Sequence, residues 1–213
     1  RFHVGESFLP RGFKLIQELG LEPRLRALPH MVKLGAEFGM GHVGDDETTK
    51  FSFSDGIQGG RNETFNIERG PFDAMLLDAA RDAGAEIRQD TAVTKIVRLM
   101  DGDVEIMAGE EALYGKYLLD ASGHGAVVGR HLGTRKVFAN HRKIAYFGHF
   151  ENVQRLAGDE EGYPTVAICD EGWFWMIPIC PRRVSIGMVM DADVAKRINL
   201  PGSQMLAWSI ARC

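Results

Sequence analysis

Residues 64–84 read TFNIERGPFDAMLLDAARDAG, and this stretch decides the class of fold that we expect. Residues 64–67 predict a short strand. Gly70 and Pro71 then begin a helix, because proline in the first helical turn lacks only an N–H that has no helical partner there. The apolar positions on one face of this helix are Phe72, Met75, Leu76, Ala79, Ala80 and Ala83. Gly84 ends the helix, so a strand leads directly into an amphipathic helix.

The residues after this helix extend the pattern towards a nucleotide-binding fold. The predicted strands here are 85–88, 92–97, 104–106 and 117–120. The last of them ends in a turn of small residues, 120–123, which reads DASG. A strand, a helix, further strands and a closing glycine turn are typical of an α/β nucleotide-binding architecture.

A second group of strands lies towards the end of the chain. Apolar alternation predicts four successive strands at 143–150, 163–169, 173–179 and 184–190. Successive strands with short connections predict a mostly antiparallel sheet, and a final helix follows Pro201. A helix over 10–21 and a glycine-rich region of short strands over 33–66 precede the opening stretch. The predicted class is therefore α/β (α+β).

The composition excludes several kinds of function. The 213 residues carry a net charge of −4 and 45% hydrophobic side chains, which indicates a packed core and no basic surface for nucleic acid. No run of about 18 apolar residues predicts a membrane span. No histidine spacing predicts a metal site. The cysteines, Cys169, Cys180 and Cys213, are odd in number and widely spaced, which favours a cytoplasmic protein without disulfides.

Four stretches carry candidate chemistry, and each has a structural alternative. Residues 3–10, HVGESFLP, either allow a ligand to approach the main chain closely at the glycine or simply begin a helix. Arg69, just before a helix N-terminus, suits a phosphate or is an ordinary surface arginine. The turn at 119–125 is a weak cofactor signal by itself. Residues 173–178, WFWMIP, place large flat side chains on one strand face, as a pocket lining or as sheet core.

In this order, the motifs resemble the flavin-dependent halogenases and their oxidoreductase relatives, with the FAD-binding fold of the aromatic hydroxylases. The shared features are GES at 5–7, R-x-x-F-D at 69–73, DASG at 120–123 and WxWxIP at 173–178. WxWxIP is the most specific of them. Lys33, within K-x-G-A-x-F, falls where that family carries its essential lysine, in the form typical of phenol and pyrrole halogenases.

The resemblance implies a role for each matched position. Lys33 is the expected catalytic residue. The residues expected to bind FAD are Gly5, Glu6, Ser7, Arg69, Val93, Asp120 and Gly123. The residues expected to line the substrate pocket are Trp173, Trp175, Ile177 and Pro178. Residues 1–135 are expected to form the remainder of the FAD-binding domain with an inserted lysine segment, and 136–213 an antiparallel substrate domain.

The implied reaction uses reduced FAD, supplied by a separate flavin reductase, together with O2 and a halide ion. The oxidised halogen reaches an electron-rich aromatic substrate, free or tethered to a carrier protein, by way of the lysine. The desolvated lysine acts as a free amine or as an ammonium donor, and the sequence does not choose between them. The family's N-terminal GxGxxG unit should lie before residue 1 and is absent from these 213 residues, so we expect them alone to bind FAD weakly and to be inactive.

Two other functions fit the same residues. One is an FAD-dependent oxidoreductase or monooxygenase, or a geranylgeranyl-reductase-like enzyme, in which Lys33 is structural. The other is a non-catalytic module that binds an apolar or carrier-tethered ligand against the aromatic strand.

Overall fold

The computed structural model describes residues 3–41, 47–56, 62–138 and 141–212. It contains two compact units, of which the larger combines residues 1–83 with 141–213 and the smaller consists of 84–140. The helices are α1 (Pro10–Glu18), α2 (Glu22–Arg26), α3 (Arg69–Asp82), α4 (Val127–His131), α5 (Ala192–Ile198) and α6 (Gly202–Ile210). The strands are β1 (His30–Lys33), β2 (Gly35–Met40), β3 (Thr48–Ser52), β4 (Thr64–Ile67), β5 (Val93–Met100), β6 (Asp103–Ala108), β7 (Glu111–Gly115), β8 (Lys143–Glu151), β9 (Thr165–Cys169), β10 (Gly172–Cys180) and β11 (Arg183–Asp191).

A six-stranded sheet dominates the larger unit, in the order β3-β2-β9-β10-β11-β8. The four strands from β8 to β11 pair antiparallel, as predicted from their alternation. β2 joins them in parallel to β9, with Phe38 opposite Val166. This pairing places the segment that follows Lys33 in the same sheet as the WxWxIP strand.

The opening stretch forms β4 and α3, as predicted, and it packs into a separate core of the larger unit. β4 pairs antiparallel with β1, so that Lys33 faces Thr64 across the ladder. The buried side chains of this core are Phe13, Ile16, Leu25, Phe65, Ile67, Phe72 and Met75. A rigid apolar support of this kind fixes the end of β1, and with it Lys33.

The smaller unit is a three-stranded antiparallel sheet, β5-β6-β7, with the single-turn helix α4. Its charged side chains pair at the surface: Arg98 binds Asp103 at 2.7 Å and Glu105 at 2.7 Å. Exposed pairs of this kind contribute little to stability.

Two predicted strands are wrong. Residues 85–88 and 117–120 have no regular structure. Leu119 is 87% exposed, and no described strand pairs with either segment. An apolar run becomes a strand only when a neighbouring strand takes its backbone hydrogen bonds, and alternation does not report that neighbour. The predictions also missed α2, α4, α5 and β7.

The predicted fold class is confirmed, because the chain is a mixed α/β protein with a mostly antiparallel sheet. The predicted division at residue 135 into cofactor and substrate domains concerns roles and stays a prediction. No helix among the described residues is long and apolar enough to cross a membrane.

Candidate active site

A cavity of about 490 Å³ opens on one face of the six-stranded sheet in the larger unit. Its lining is mainly apolar and aromatic, and two charged side chains, Glu6 and Lys33, contribute to it. The segment 4–7 forms one wall, β2 and β3 form another, and β10 forms the third. An apolar cavity with a few convergent polar groups is the usual form of a small-molecule site.

Lys33 is the buried cation of this cavity, since only 6% of the residue is exposed. Its Nζ donates hydrogen bonds to Ser7 Oγ at 2.9 Å and to the Phe8 carbonyl at 3.2 Å. The Phe53 ring lies 5.4 Å from Nζ. Burial removes water from the ammonium group and lowers the pKa of Lys33 to about 8. The ammonium form therefore still predominates at pH 7, with on the order of a tenth of the lysine present as free amine.

β10 supplies the aromatic wall. Alternation directs Trp173, Trp175 and Ile177 to the cavity, as predicted for one strand face. The two indole centroids lie 5.9 Å apart. Pro178 does not line the cavity: it is fully buried and alternates to the other side of β10. The structure therefore brings together three of the four residues expected in the substrate pocket.

A buried hydrogen bond between a carboxyl group and an imidazole lies beside the cavity, and sequence reasoning missed one of the two residues. Glu6 is 1% exposed, and its Oε1 lies 2.5 Å from Nε2 of His149 on β8. The pairing register places His149 opposite Ser185, on the same sheet face as Trp175 and Ile177. Alternation along β8, which puts Ala145, Phe147 and His149 on one face, was the available signal.

The comparisons with known proteins agree with this geometry. The family model described as tryptophan halogenase matches residues 54–199, which is more than half of the chain. The chain belongs to the tryptophan halogenase family. The resemblance stated from the motifs is thereby confirmed at the level of the family.

Individual relatives of this family member cover nearly its whole length. A 1H-pyrrole-2-carbonyl-[peptidyl-carrier protein] chlorinase of Pseudomonas fluorescens is 29% identical over 89% of the chain. The flavin-dependent halogenase CmlS superimposes with a TM-score of 0.89 at 28% identity over 100% of the chain. The myxobacterial chondrochloren halogenase CndH, an FAD-dependent halogenase, superimposes with a TM-score of 0.86 at 27% identity, also over 100%.

The chain matches only part of the length of each relative. The halogenase-family chain spans 47% of the chlorinase, 39% of CmlS and 50% of CndH. It therefore corresponds to half or less of their length.

Gly5 of this halogenase-family chain lines one edge of the cavity, and Arg69 lies against it without lining the cavity itself. Gly5 has a φ of 96°, and a β-carbon there would lie 3.0 Å from Arg69 Nη1. Arg69 donates to Asp73 through Nε at 2.9 Å and Nη2 at 3.1 Å, and Nη1 donates to the Val4 carbonyl at 3.2 Å. The guanidinium thus holds the backbone of residues 4–5. Its predicted contact with the diphosphate stays a prediction.

The other three predicted cofactor residues belong to the smaller unit. Val93 begins β5 and pairs with Ala108. Asp120 accepts hydrogen bonds from the amides of Ser122 at 3.0 Å and Val128 at 2.8 Å. Hydrogen bonds from Ser122, first from its side chain and then from its amide, and from Val128 lower the pKa of Asp120. Gly123 adopts a φ of 58° in the turn that Asp120 organises. The structure thus shows a local role for Asp120, and the predicted roles at the cofactor stay predictions.

Proposed function

We propose that this chain is the central part of a flavin-dependent halogenase that acts on an electron-rich aromatic ring. The observation that carries the proposal is the buried amine of Lys33 in an aromatic-lined cavity, with its pKa lowered to about 8. No carboxylate of the described residues bonds to Nζ. A buried cation of this kind is costly, and such groups concentrate at functional sites.

The residues at the Gly5 edge fit one side of a flavin. Glycine leaves the backbone at position 5 accessible to a ligand, and the Arg69 guanidinium, which is paired with Asp73, lies directly beside it. Gly5, Glu6, Ser7 and Arg69 would hold the cofactor on the larger unit, while the cofactor roles of Val93, Asp120 and Gly123 rest on the motif resemblance alone. Bound FAD, in its reduced form and with O2 and halide, would supply the oxidised halogen.

The chain's own residues would then bring the halogen to the substrate. Lys33 would hold the oxidised halogen, since its Nζ is fixed by Ser7 and Phe8 and Phe53 limits access of water. Trp173, Trp175 and Ile177 would hold the substrate ring and separate it from the flavin edge. The similarity to a chlorinase of a carrier-bound pyrrole supports an aromatic substrate, free or carrier-tethered.

A flavin reductase partner and a cytoplasmic location complete the proposal. Halogenation requires flavin in its reduced form, and no described part of this chain is assigned to reduce it. Cys169 and Cys180 are both free, which fits a reducing compartment.

The test is the mass of the product formed by the full-length enzyme with reduced FAD, O2 and either chloride or bromide. We expect a halogen isotope pattern that changes with the halide. Lys33→Ala should lower halogenation by about 100-fold or more, within the range of a lost catalytic acid or base, while flavin oxidation continues. Lys14→Ala, an exposed lysine on α1, is the matched control and should retain full activity.

Each alternative gives a different result. An oxygenated product without halogen would identify a monooxygenase and refute the proposal. The absence of any product from an enzyme that binds reduced FAD would identify a non-catalytic module. Halogenation that persists in Lys33→Ala would refute the role of the lysine.

A further inference from the structure

Trp175 lies in a row of three cross-strand neighbours on the cavity face of the sheet. The register pairs Trp175 of β10 with Gly187 of β11, and Gly187 with Phe147 of β8. Trp175 is 8% exposed, and its ring contacts the Phe147 ring at a centroid distance of 6.0 Å. The middle position of the row therefore decides where the indole lies.

Position 187 requires glycine because a side chain would not fit there, and not because of the backbone conformation. Its φ lies outside the left-handed region, so the main chain accepts any residue there. A β-carbon at this position would overlap atoms Cζ2 and Cη2 of Trp175 and would lie 2.7 Å from Cβ of Phe147. The indole thus lies flat on the backbone of β11, in the volume that a side chain would fill.

Ser185 fixes the other end of the same ring. Trp175 Nε1 donates a hydrogen bond to Ser185 Oγ at 3.1 Å, and Ser185 is fully buried. A buried indole N–H without an acceptor is costly, so this bond selects one orientation of the ring. Two residues of β11 therefore position Trp175: Ser185 accepts its hydrogen bond, and Gly187 leaves the space that the ring occupies.

We propose that Gly187 and Ser185 are positioning residues that set the depth of the cavity through Trp175, and thereby determine the size of aromatic ring that it accepts. The inference rests on the proposed function in one respect, namely that the occupant is an aromatic ring. One added methyl group at position 187 moves the indole into the cavity. Because one methylene in an apolar pocket changes discrimination by about 10- to 200-fold, the change in size selectivity should be measurable.

The experiment compares the binding of phenol and 1-naphthol to the full-length protein by equilibrium dialysis. The variants are Gly187→Ala and the double variant Gly187→Ala/Trp175→Phe, in which the smaller ring makes room for the methyl group. Gly148→Ala is the matched control, because Gly148 faces the other side of the sheet and its β-carbon would meet only the Phe150 ring, at 3.4 Å. Circular dichroism from the coupled Trp173 and Trp175 rings reports the indole position independently of activity.

We expect Gly187→Ala to raise the ratio of the 1-naphthol Kd to the phenol Kd by about tenfold and to change the Trp173–Trp175 signal. The double variant should return the ratio to within about twofold of the wild type, since the overlap is relieved. Gly148→Ala should change neither quantity. Ser185→Ala should weaken the coupled signal, and Ser185→Thr, which keeps the hydroxyl, should restore it.

The inference is overturned if the Kd ratio in Gly187→Ala equals that of the wild type, or if Gly148→Ala shifts it equally. An unchanged coupled signal in Ser185→Ala also overturns it, even where Gly187→Ala does not fold. The inference is also overturned if the wild-type protein fails to bind phenol or 1-naphthol. Failure of the proposed function is a separate result: the ratio responds as expected while the enzyme forms no halogenated product.

Discussion

Both units of this chain carry surface ion pairs, but among the described residues only the larger unit also buries charged side chains. In the larger unit, Glu6 and Lys33 are 1% and 6% exposed, and each has fixed partners beside the cavity. In the smaller unit, Arg98 pairs with Asp103 and Glu105 while 38% of its side chain remains in solvent. Burial makes an ionisable group expensive and chemically altered, whereas exposure leaves it ordinary. Function is therefore expected where charge is buried, and the comparison can be tested by removing one group at a time.

The largest effect on stability should come from His149→Ala. The substitution leaves the buried Glu6 carboxyl group without this hydrogen-bond partner, and an unsatisfied buried polar group costs about 1–3 kcal/mol of unfolding free energy or more. Denaturant unfolding at neutral pH measures the loss. His149→Gln, which retains a donor, should recover part of it. A loss in His149→Ala below about 1 kcal/mol, as for an exposed pair, would show that this pair is no more important than the surface pairs.

Lys33→Met should raise the free energy of unfolding, and the size of this increase should depend on pH. The pKa of Lys33 is about 8 in the folded chain, below its usual 10.5, so the cost of burying the ammonium is fully present below pH 8. Stability of the wild type then rises between about pH 8 and 10.5, where the unfolded chain still holds the proton. We expect Lys33→Met to stabilise the fold by about 2 kcal/mol near neutral pH and by much less near pH 10.5.

Unfolding of wild type and Lys33→Met at several pH values tests this expectation. Lys14→Met, at an exposed position, is the control and should show no such trend. A stability difference that does not vary with pH would mean that the Lys33 amine is not perturbed by burial.

The same pKa predicts an inflection near pH 8 in the rate of halogenation by the full-length enzyme. A rate that increases through this pH identifies the free amine as the active form, and a rate that decreases identifies the ammonium. A profile without an inflection between about pH 7 and 9 would contradict the assignment of Lys33 to the rate-determining chemistry.

Arg98→Ala should have the smallest effect. Asp103 is exposed and Glu105 is partly exposed, and both reach water when the guanidinium is removed, so the unfolding midpoint should change little. A loss comparable to that of His149→Ala would remove the distinction between the two units.

Much of the site could be predicted from local pattern. Alternation placed Trp173, Trp175 and Ile177 on one face, and Gly70-Pro71 marked the start of α3, because both signals depend on neighbours in the chain. The motif order located Lys33 and the family. Residues 85–88 and 117–120 read equally well as strands and are not, since their hydrogen bonds would need partners that local pattern does not describe.

The sequence by itself determined the four antiparallel strands of the main sheet, the aromatic face of β10, the position of the lysine and the halogenase family. Only the tertiary structure decided what makes that lysine unusual. The parallel pairing of β2 with β9 and the packing of Ser7, Phe8 and Phe53 around Nζ join segments far apart in the chain. The Glu6–His149 pair and the place of Trp175 above Gly187 arise in the same way. Desolvation and steric fit depend on which surfaces meet, and that is settled by packing of the whole chain.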